Sequence, residues 1–249
     1  MSRLRGNYSR FYQAPPLNTV SGPLLDLAVS QGFAFLPLKG ERDEQHEVGL
    51  AIPFKSWTGD VTYFRTGARN FFDHDVIGDS NIFLPLTIDH VRIRGVEVSV
   101  RSPKLFQHAN ASVVYSHQSV EGQGGVTGGL TDFSPPATGS FFLDHDQRDT
   151  LHVNLRTDLP HKSWAALVVN YGSGFMNGNG TGTGPRHLPA YATVDVALGK
   201  SIGEQLSAKL TVTNISDKRY QIDLSNTFGG SHTNEARAVS VQVRYRFRY

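Results

Sequence analysis

The chain has 249 residues, of which 39% are hydrophobic and 18% charged, with a formal net charge of +2. This composition predicts one large or two small folded domains and argues against disorder. The near-neutral charge gives no support for a nucleic-acid partner, and the absence of cysteine excludes disulfides and thiolate metal sites.

The start of the chain and its hydropathy bear on membrane association. No apolar run reaches the roughly 18 residues of a membrane-spanning helix. The first segment, MSRLRGNYSRFYQAPPL, lacks the apolar core of a secretory signal. We therefore expect either a cytoplasmic protein or a natural product that begins upstream of Met1.

Alternation of apolar and polar residues runs through the whole chain, whereas helical periodicity is scarce. Leu4, Gly6 and Tyr8, for example, alternate with polar neighbours. Such a period of two indicates strands with one polar face. The pattern predicts ten strands, at about 2–11, 44–53, 56–70, 89–101, 108–119, 146–158, 162–171, 190–199, 205–216 and 237–249.

The connections alternate in length. Those after the second, fourth, sixth and eighth strands are short, and the others are long and rich in Gly, Asn, Asp, Thr and Pro. An up-and-down meander puts every second connection at the same end, and an outer-membrane barrel has short periplasmic turns and long outer loops. The alternation therefore favours such a barrel.

Two short turns share a sequence. IPFKSW at 52–57 and LPHKSW at 159–164 place Trp57 and Trp164 at the start of a strand. If both turns are periplasmic, both indoles are interface-belt aromatics, because these rings are part apolar and part hydrogen-bonding. The alternative is a turn motif that recurs by chance.

The fourth strand, HVRIRGVEVSV, changes the parity of its apolar residues. Val91 and Ile93 are odd, whereas Val96 and Val98 are even. We expect a β-bulge at Gly95 that returns both sets to one side of the sheet.

Several segments resemble chemical sites. FFDHD at 71–75 and FFLDHD at 141–146 offer aspartate and histidine to a divalent cation, or form solvated polar loop bases. GNGTGTGP at 178–185 lacks the Lys-Ser/Thr of a phosphate loop, and no GxSxG or HExxH occurs. We expect no enzyme activity, no catalytic residue, no metal site and no cofactor.

The last strand, AVSVQVRYRFRY, has one apolar and one cationic face. The apolar set is Val241, Val243, Tyr245, Phe247 and Tyr249, preceded by Val239. In a soluble sandwich that face is core, and in an outer-membrane barrel it faces lipid.

Three stretches of the chain resemble TonB-dependent outer-membrane receptors. They are LPAYATVDVALGKSI, LTVTNISDKRYQIDLSNTFGG and the aromatic-ended last strand, with PLTIDHVRIRGVEVSV and SRFYQAPPLNTVSGP also similar. The resemblance implies an all-β, antiparallel up-and-down transmembrane β-barrel segment of about ten strands, with short periplasmic turns and long extracellular loops.

The resemblance also implies roles and partners. The set from Val241 to Tyr249 would be the insertion signal that the outer-membrane assembly machinery reads, with the outer-membrane lipid bilayer beside it. Residues 1–249 would be the C-terminal part of a receptor barrel without its plug domain and first strands. TonB would act only through that missing plug. Family ligands include ferric siderophores, cobalamin and saccharides, and no ligand-binding residue can be transferred.

Two other functions stay open from the sequence. A soluble β-sandwich binding module, such as a carbohydrate-binding jelly roll, would pair its apolar faces with each other. A small passive outer-membrane pore would close ten strands into a narrow barrel.

Overall fold

The computed structural model describes residues 1–15, 38–76, 83–128, 139–143, 146–177, 186–224 and 232–247. None of these residues forms a helix that could cross a membrane. The strands are β1 (Arg3–Gln13), β2 (Glu41–Phe54), β3 (Trp57–Val76), β4 (Phe83–Arg101), β5 (Ala109–Gly128), β6 (Ser140–Phe142), β7 (Asp149–Leu159), β8 (Ser163–Gly172), β9 (Tyr191–Ile202), β10 (Leu206–Thr213), β11 (Gln221–Asp223), β12 (His232–Thr233) and β13 (Ala238–Tyr245).

The main sheet is an antiparallel meander. Its order is β1-β2-β3-β4-β5-β7-β8-β9-β10-β13, with β6 paired to the far end of β5, while β11 and β12 form a separate hairpin. The ten predicted strands are confirmed as these ten neighbours. The sheet is open, because β1 and β13 are its edges.

The predicted grouping of the connections is confirmed: those at 55–56, 102–108, 160–162 and 203–205 lie at one end of the sheet and the others at the opposite end. The alternation in length has one exception, because β3 and β4 extend to Val76 and Phe83 and are joined by six residues, fewer than the seven at 102–108. Lys55, His161 and Lys162 adopt positive φ angles of 53°, 59° and 55°, as tight turns between strands require.

The cross-strand register defines two faces. Leu4, Leu50, Val61, Val98 and Tyr115 are consecutive partners across five strands. We call the face that carries this row the outer face and the opposite one the inner face. Side chains of one cross-strand row lie on the same side because paired residues share the pleat.

The predicted bulge at Gly95 is wrong. Pairing runs without a break from Thr58↔Arg101 to Arg69↔His90, through Phe64↔Gly95. Ile93 therefore lies on the inner face and Val98 on the outer face.

The parity change at Gly95 instead marks a change in the surroundings of an unbroken strand. Toward the short turns, β4 presents Val96, Val98 and Val100 on its outer face. Toward the long loops, it presents Arg92 and Arg94 there. In this half of the strand the apolar residues, Val91 and Ile93, lie on the inner face and pack in a small buried core. The members of this core are Ala68, Leu86, Ile88, Val91, Phe141 and Leu143, with Phe71, Ile93, Val120 and Val126 packed against them.

A bulge does occur, but elsewhere. The register between β4 and β5 shifts between Ile88 and His90, where Asp89 faces both Gly124 and Gly125. Gly124 has a φ of 90°, and Asp89 Oδ2 accepts a hydrogen bond of 2.8 Å from the Gly125 amide. Glycine is favoured there because a side chain would disfavour this backbone conformation.

Candidate functional site

An apolar band covers the part of the outer face that is nearest the short turns. In the C-terminal half, the cross-strand pairs place aliphatic side chains of five successive strands in this band. Its members there are Leu151, Val153, Leu155, Leu167, Val169, Val194, Val196, Leu198, Leu206, Leu210, Val212, Val239, Val241 and Val243. Soluble proteins rarely expose contiguous apolar areas beyond a few hundred Å². A surface of this extent is suited to contact with lipid.

The last strand contributes to the band as its alternation predicts. Val241 and Val243 pair with Leu210 and Ala208 of β10 and are 70% and 65% exposed. Arg244 pairs with Ser207 on the inner face. Phe247 follows the strand at 71% exposure, and Tyr249 lies outside the described residues.

The sequence reading missed a row of tyrosines along the upper edge of the band, toward the long loops. Tyr8, Tyr63, Tyr115 and Tyr171 are all on the outer face and between 39% and 53% exposed. On the outer face, Tyr8 is followed by Arg10 and Tyr63 by Arg65, and a further exposed tyrosine, Tyr12, lies beyond Arg10 in β1. Aromatic girdles occur at both edges of the lipid band in barrels. The signal was present as Tyr followed two residues later by a charged or polar residue.

The two tryptophans do not occupy equivalent positions. Trp57 is on the outer face, 39% exposed, at the short-turn edge of the band. Trp164 is on the inner face, where the Arg156 guanidinium lies 4.3 Å from its ring centroid. The expectation of a shared belt is therefore wrong for Trp164.

Turn length explains this difference. Phe54 pairs with Trp57 across a two-residue turn, whereas Leu159 pairs with Ser163 across a three-residue turn. One extra residue shifts the second tryptophan by one position in the register, and a shift of one reverses the face.

The inner face carries polar side chains linked across strands. His152 Nδ1 lies 2.8 Å from Asn170 Oδ1, Asn170 Nδ2 donates to Asp195 Oδ2 at 3.3 Å, and Asp195 Oδ1 accepts the Asn214 amide at 2.7 Å. Near β1, Arg5 forms an ion pair with Asp60 and donates to Thr62. These contacts give the sheet a polar inner wall opposite its apolar band.

The segment NISDKRY, 214–220, forms a clip at the base of the last long connection. Asn214, only 6% exposed, donates from Nδ2 to the carbonyls of Lys218 and Glu235, and its Oδ1 accepts the Lys218 amide. Asn234 donates to the same two carbonyls and accepts the Tyr220 amide at 2.8 Å. The buried side-chain amides of Asn214 and Asn234 thus hydrogen-bond to backbone groups that have no strand partner where the chain turns. This gives the motif a structural role.

Ionisable groups in this clip have shifted pKa values. The Arg237 amide donates to Asp217 Oδ1 at 2.8 Å and lowers the pKa of that carboxyl. Burial, together with the nearby Tyr191, raises the pKa of Tyr220 to about 12. The Tyr191 and Tyr220 rings are stacked, with centroids 3.5 Å apart, so Tyr191 covers one face of the half-buried Tyr220 ring.

The two Asp-His-Asp segments differ from expectation. In the first segment, Asp73 lies in β3, and the side chains of His74 and Asp75 are outside the described part. In the second segment, Asp144 and His145 are outside the described residues. Asp146 is not a solvated loop base: it is 1% exposed, pairs with Arg148 at 2.9 Å, and burial raises its pKa. Among the described residues, no group of three His, Asp or Glu side chains could hold a metal ion.

Comparison with known proteins identifies the architecture. A family model described as TonB dependent receptor-like, beta-barrel, matches residues 2–215. No curated protein matches the chain.

Solved structures match nearly the whole chain. The ferric-catecholate import receptor Fiu of E. coli aligns with a TM-score of 0.63 and 16% identity, over 99% of this chain and 33% of that one. The ferric enterobactin receptor PfeA of Pseudomonas aeruginosa aligns with a TM-score of 0.67 and 16% identity, over 99% and 38%. The copper transporter OprC aligns with a TM-score of 0.66 and 13% identity, over 99% and 37%. The chain therefore spans between a third and two fifths of each of these structures.

Proposed function

Because the chain belongs to the TonB-dependent receptor β-barrel family, we propose that it forms the membrane wall of an outer-membrane receptor that takes up a scarce ligand by TonB-coupled transport. The family is one of transport receptors. The observation that carries the proposal is the outer-face apolar band, bordered by the tyrosine row, opposite a polar inner wall.

The proposal assigns roles to the predicted site residues. Val241, Val243, Tyr245 and Phe247 form the outer-facing end of the chain that the outer-membrane assembly machinery would read, together with Tyr249. Trp57 would anchor the periplasmic interface. The support is that Val241, Val243 and Tyr245 lie on the outer face of β13, that Trp57 lies on the same face at the short-turn end, and that Phe247 is exposed.

The two sheet edges support a role within a larger barrel. β1 and β13 present unpaired backbone N–H and C=O groups along Arg3–Gln13 and Ala238–Tyr245. Each unsatisfied group costs several kcal/mol in hydrocarbon, so an open sheet is not a stable membrane structure. Further strands would have to pair with both edges, which fits a chain that spans only part of its structural relatives.

The structural relatives suggest the class of the transported ligand. Receptors named for ferric siderophores and a transporter named for copper share this fold with the chain. We propose a metal ion or metal complex as the transported ligand, with TonB acting through a plug domain that is not among residues 1–249.

Detergent dependence tests the membrane role. A receptor that contains this segment, refolded from urea into a zwitterionic detergent, should stay monodisperse, be rich in β structure by circular dichroism, and migrate differently on gels before and after boiling. A monodisperse monomer in the absence of detergent would contradict the proposal and favour a soluble module.

Uptake tests the transport role. Cells that express a receptor containing this segment should accumulate the ferric or copper ligand only when TonB is present, and residues 1–249 alone should not support uptake. TonB-dependent uptake by residues 1–249 alone would show that the missing strands and plug are dispensable.

A further inference from the structure

Two arginines line a pocket on the inner face, at the short-turn end of the sheet. Arg101 ends β4 and Arg156 lies in β7, so they flank β5 on its two sides. Neighbouring strands are about 4.8 Å apart, which separates β4 from β7 by about 10 Å across β5. The space between the two arginines is a pocket of about 470 Å³, which we call the inner pocket.

The register brings five polar side chains to the inner pocket in two adjoining inner-face rows. Arg101, Ser112 and Asn154 are consecutive partners in one row, and Asn110 pairs with Arg156 in the next. Each of the five side chains can donate a hydrogen bond. No acidic residue lines the pocket. The inner pocket is therefore suited to a ligand that accepts hydrogen bonds and carries negative charge.

The acidic side chains in the adjoining rows are bound to other cations. Asp60, one inner-face row away from Arg101, forms an ion pair with Arg5. Asp158, one row away from Arg156, forms an ion pair with Lys104 at 3.3 Å. Within the described part of the chain, no acidic side chain forms an ion pair with either arginine of the inner pocket. The positive charge of the pocket is therefore not neutralised by the fold.

Arg156 is held in place by an aromatic ring. Its guanidinium lies 4.3 Å from the Trp164 ring centroid. Trp164 pairs with Gly199 of β9, and a Cβ at Gly199 would overlap the indole, so the ring lies directly on the backbone at that position. Stacking on an aromatic ring fixes the plane of a guanidinium and leaves its edge able to donate hydrogen bonds. The inner pocket thus contains a cation that is oriented before a ligand binds.

The donors of the inner pocket match an oxyanion of the phosphate type. A guanidinium presents two parallel N–H donors that match two oxygens of a phosphate group. Arg101 and Arg156 can approach a tetrahedral ion from opposite sides, while the hydroxyl of Ser112 and the amide of Asn110 reach it from the strand between them. The volume of the pocket falls within the range of about 300–1,000 Å³ that is typical of small-molecule sites. The pocket therefore has room for a small organic group beside the phosphate.

We propose that the inner pocket binds a phosphate group, either as the free ion or as a small phosphate monoester. The bound phosphate supplies the negative charge that Arg101 and Arg156 lack in the fold. This inference goes beyond the proposed transport function, because the pocket lies at the short-turn end of the inner face, at the opposite end from the long connections.

Calorimetric titration tests the inference. A receptor that contains residues 1–249, folded in a neutral, phosphate-free detergent, would be titrated with inorganic phosphate, glycerol 3-phosphate and acetate. We expect at least one of the two phosphate compounds to bind ten or more times more tightly than acetate. Tighter binding of inorganic phosphate would identify the free ion as the occupant, and tighter binding of glycerol 3-phosphate a monoester. Equal binding of acetate, or no binding of either phosphate compound, would overturn the inference.

Variants locate the site. Arg101→Gln with Arg156→Gln should weaken phosphate binding at least tenfold, because both guanidinium groups of the pocket are removed. The matched control, Lys209→Gln with Arg244→Gln, removes the same charge from the inner face outside the pocket and should change binding less than twofold. If the two double variants weaken binding equally, the effect is net charge and the site is refuted.

The stacked arrangement has a test of its own. Trp164→Leu keeps both arginines and should weaken phosphate binding about two- to fivefold, which corresponds to the loss of an exposed cation–π contact. Gly199→Ala should change binding in the same direction, because the added Cβ displaces the indole. Unchanged affinity in both variants would refute the orienting role of Trp164.

Folding controls separate this inference from the proposed function. Each variant would first be checked for the boiling-dependent gel shift. If the double glutamine variant does not fold, Arg156→Lys keeps the charge but loses the paired donors, and it should weaken phosphate binding at least threefold. A receptor that folds in detergent but does not bind phosphate refutes only this inference, whereas a detergent-free monomer refutes the membrane role.

Discussion

Arginine at Val241 should prevent stable membrane folding, whereas arginine one residue later should not. Val241 is in the middle of the outer row of β13, between Val239 and Val243, and is 70% exposed on the apolar band. Gln242 faces the polar inner side and pairs with Lys209. An arginine that faces lipid near the midplane costs about 2–4 kcal/mol, and near zero on the lumen side. At about 1.4 kcal/mol per factor of ten, Val241→Arg should lower the folding equilibrium constant about 30- to 700-fold.

The assay is urea-dependent folding of a receptor that contains residues 1–249 into vesicles of phosphatidylcholine, followed by the gel shift between unboiled and boiled samples. Val241→Arg should move the folding midpoint to lower urea by the amount that corresponds to this free energy, and Gln242→Arg should stay close to the wild type. Equal effects of the two substitutions would mean that β13 has no lipid-facing side, and would refute the assignment of the outer face.

Three further outcomes are expected. With Trp164→Phe, the fluorescence of the remaining Trp57 should be quenched by brominated lipid, and with Trp57→Phe the remaining Trp164 should not; equal quenching would contradict their opposite faces. The absorbance difference at about 295 nm between wild type and Tyr220→Phe should titrate near pH 12, because the fold favours the neutral phenol. The stabilising effect of the neutral phenol is complete below the ordinary pKa near 10 and is lost as pH rises through about 12. A titration midpoint near pH 10 would refute the raised pKa of Tyr220. Gly124→Ala should cost about 1–3 kcal/mol in urea unfolding, since φ is 90° and the new Cβ would lie 2.8 Å from Asp89 Cβ, whereas Gly59→Ala, with its nearest atom at 3.6 Å, should cost less than about 1 kcal/mol.

The sequence predicted the strands, their order and, except for the connection after β3, the alternation of loop lengths, because each depends on local patterns. Period-two alternation is set by the pleat, and antiparallel neighbours joined by short turns have few other topologies. The strand lengths were underestimated for β3, β4 and β5, since β3 and β4 pair out to Val76↔Phe83 and β5 stays paired with β4 as far as Gly128, beyond the point where alternation is visible.

The errors at Gly95 and Trp164 have a common physical origin. The expectation of a bulge at Gly95 assumed that all apolar residues of one strand share a face. The expectation for Trp164 assumed that equal sequence motifs place their residues on equal faces. Ile93 packs against the small core on the inner face, whereas Val98 belongs to the apolar band on the outer face. Trp164 is inverted by one residue in a turn. Neither cause can be read from a single strand, because the first depends on what surrounds the sheet and the second on the length of the turn.

The length of β3 beyond the tyrosine row has a consequence for what the cell surface displays. Thirteen residue steps separate Tyr63 from Val76, which is about 43 Å along the strand at roughly 3.3 Å per residue and about 33 Å along the membrane normal at a tilt of about 40°. In the proposed membrane placement, the hairpin of β3 and β4 would therefore stand above the lipid by more than the thickness of the hydrocarbon core itself. An antibody or other large particle could then reach its upper half without entering the headgroup layer.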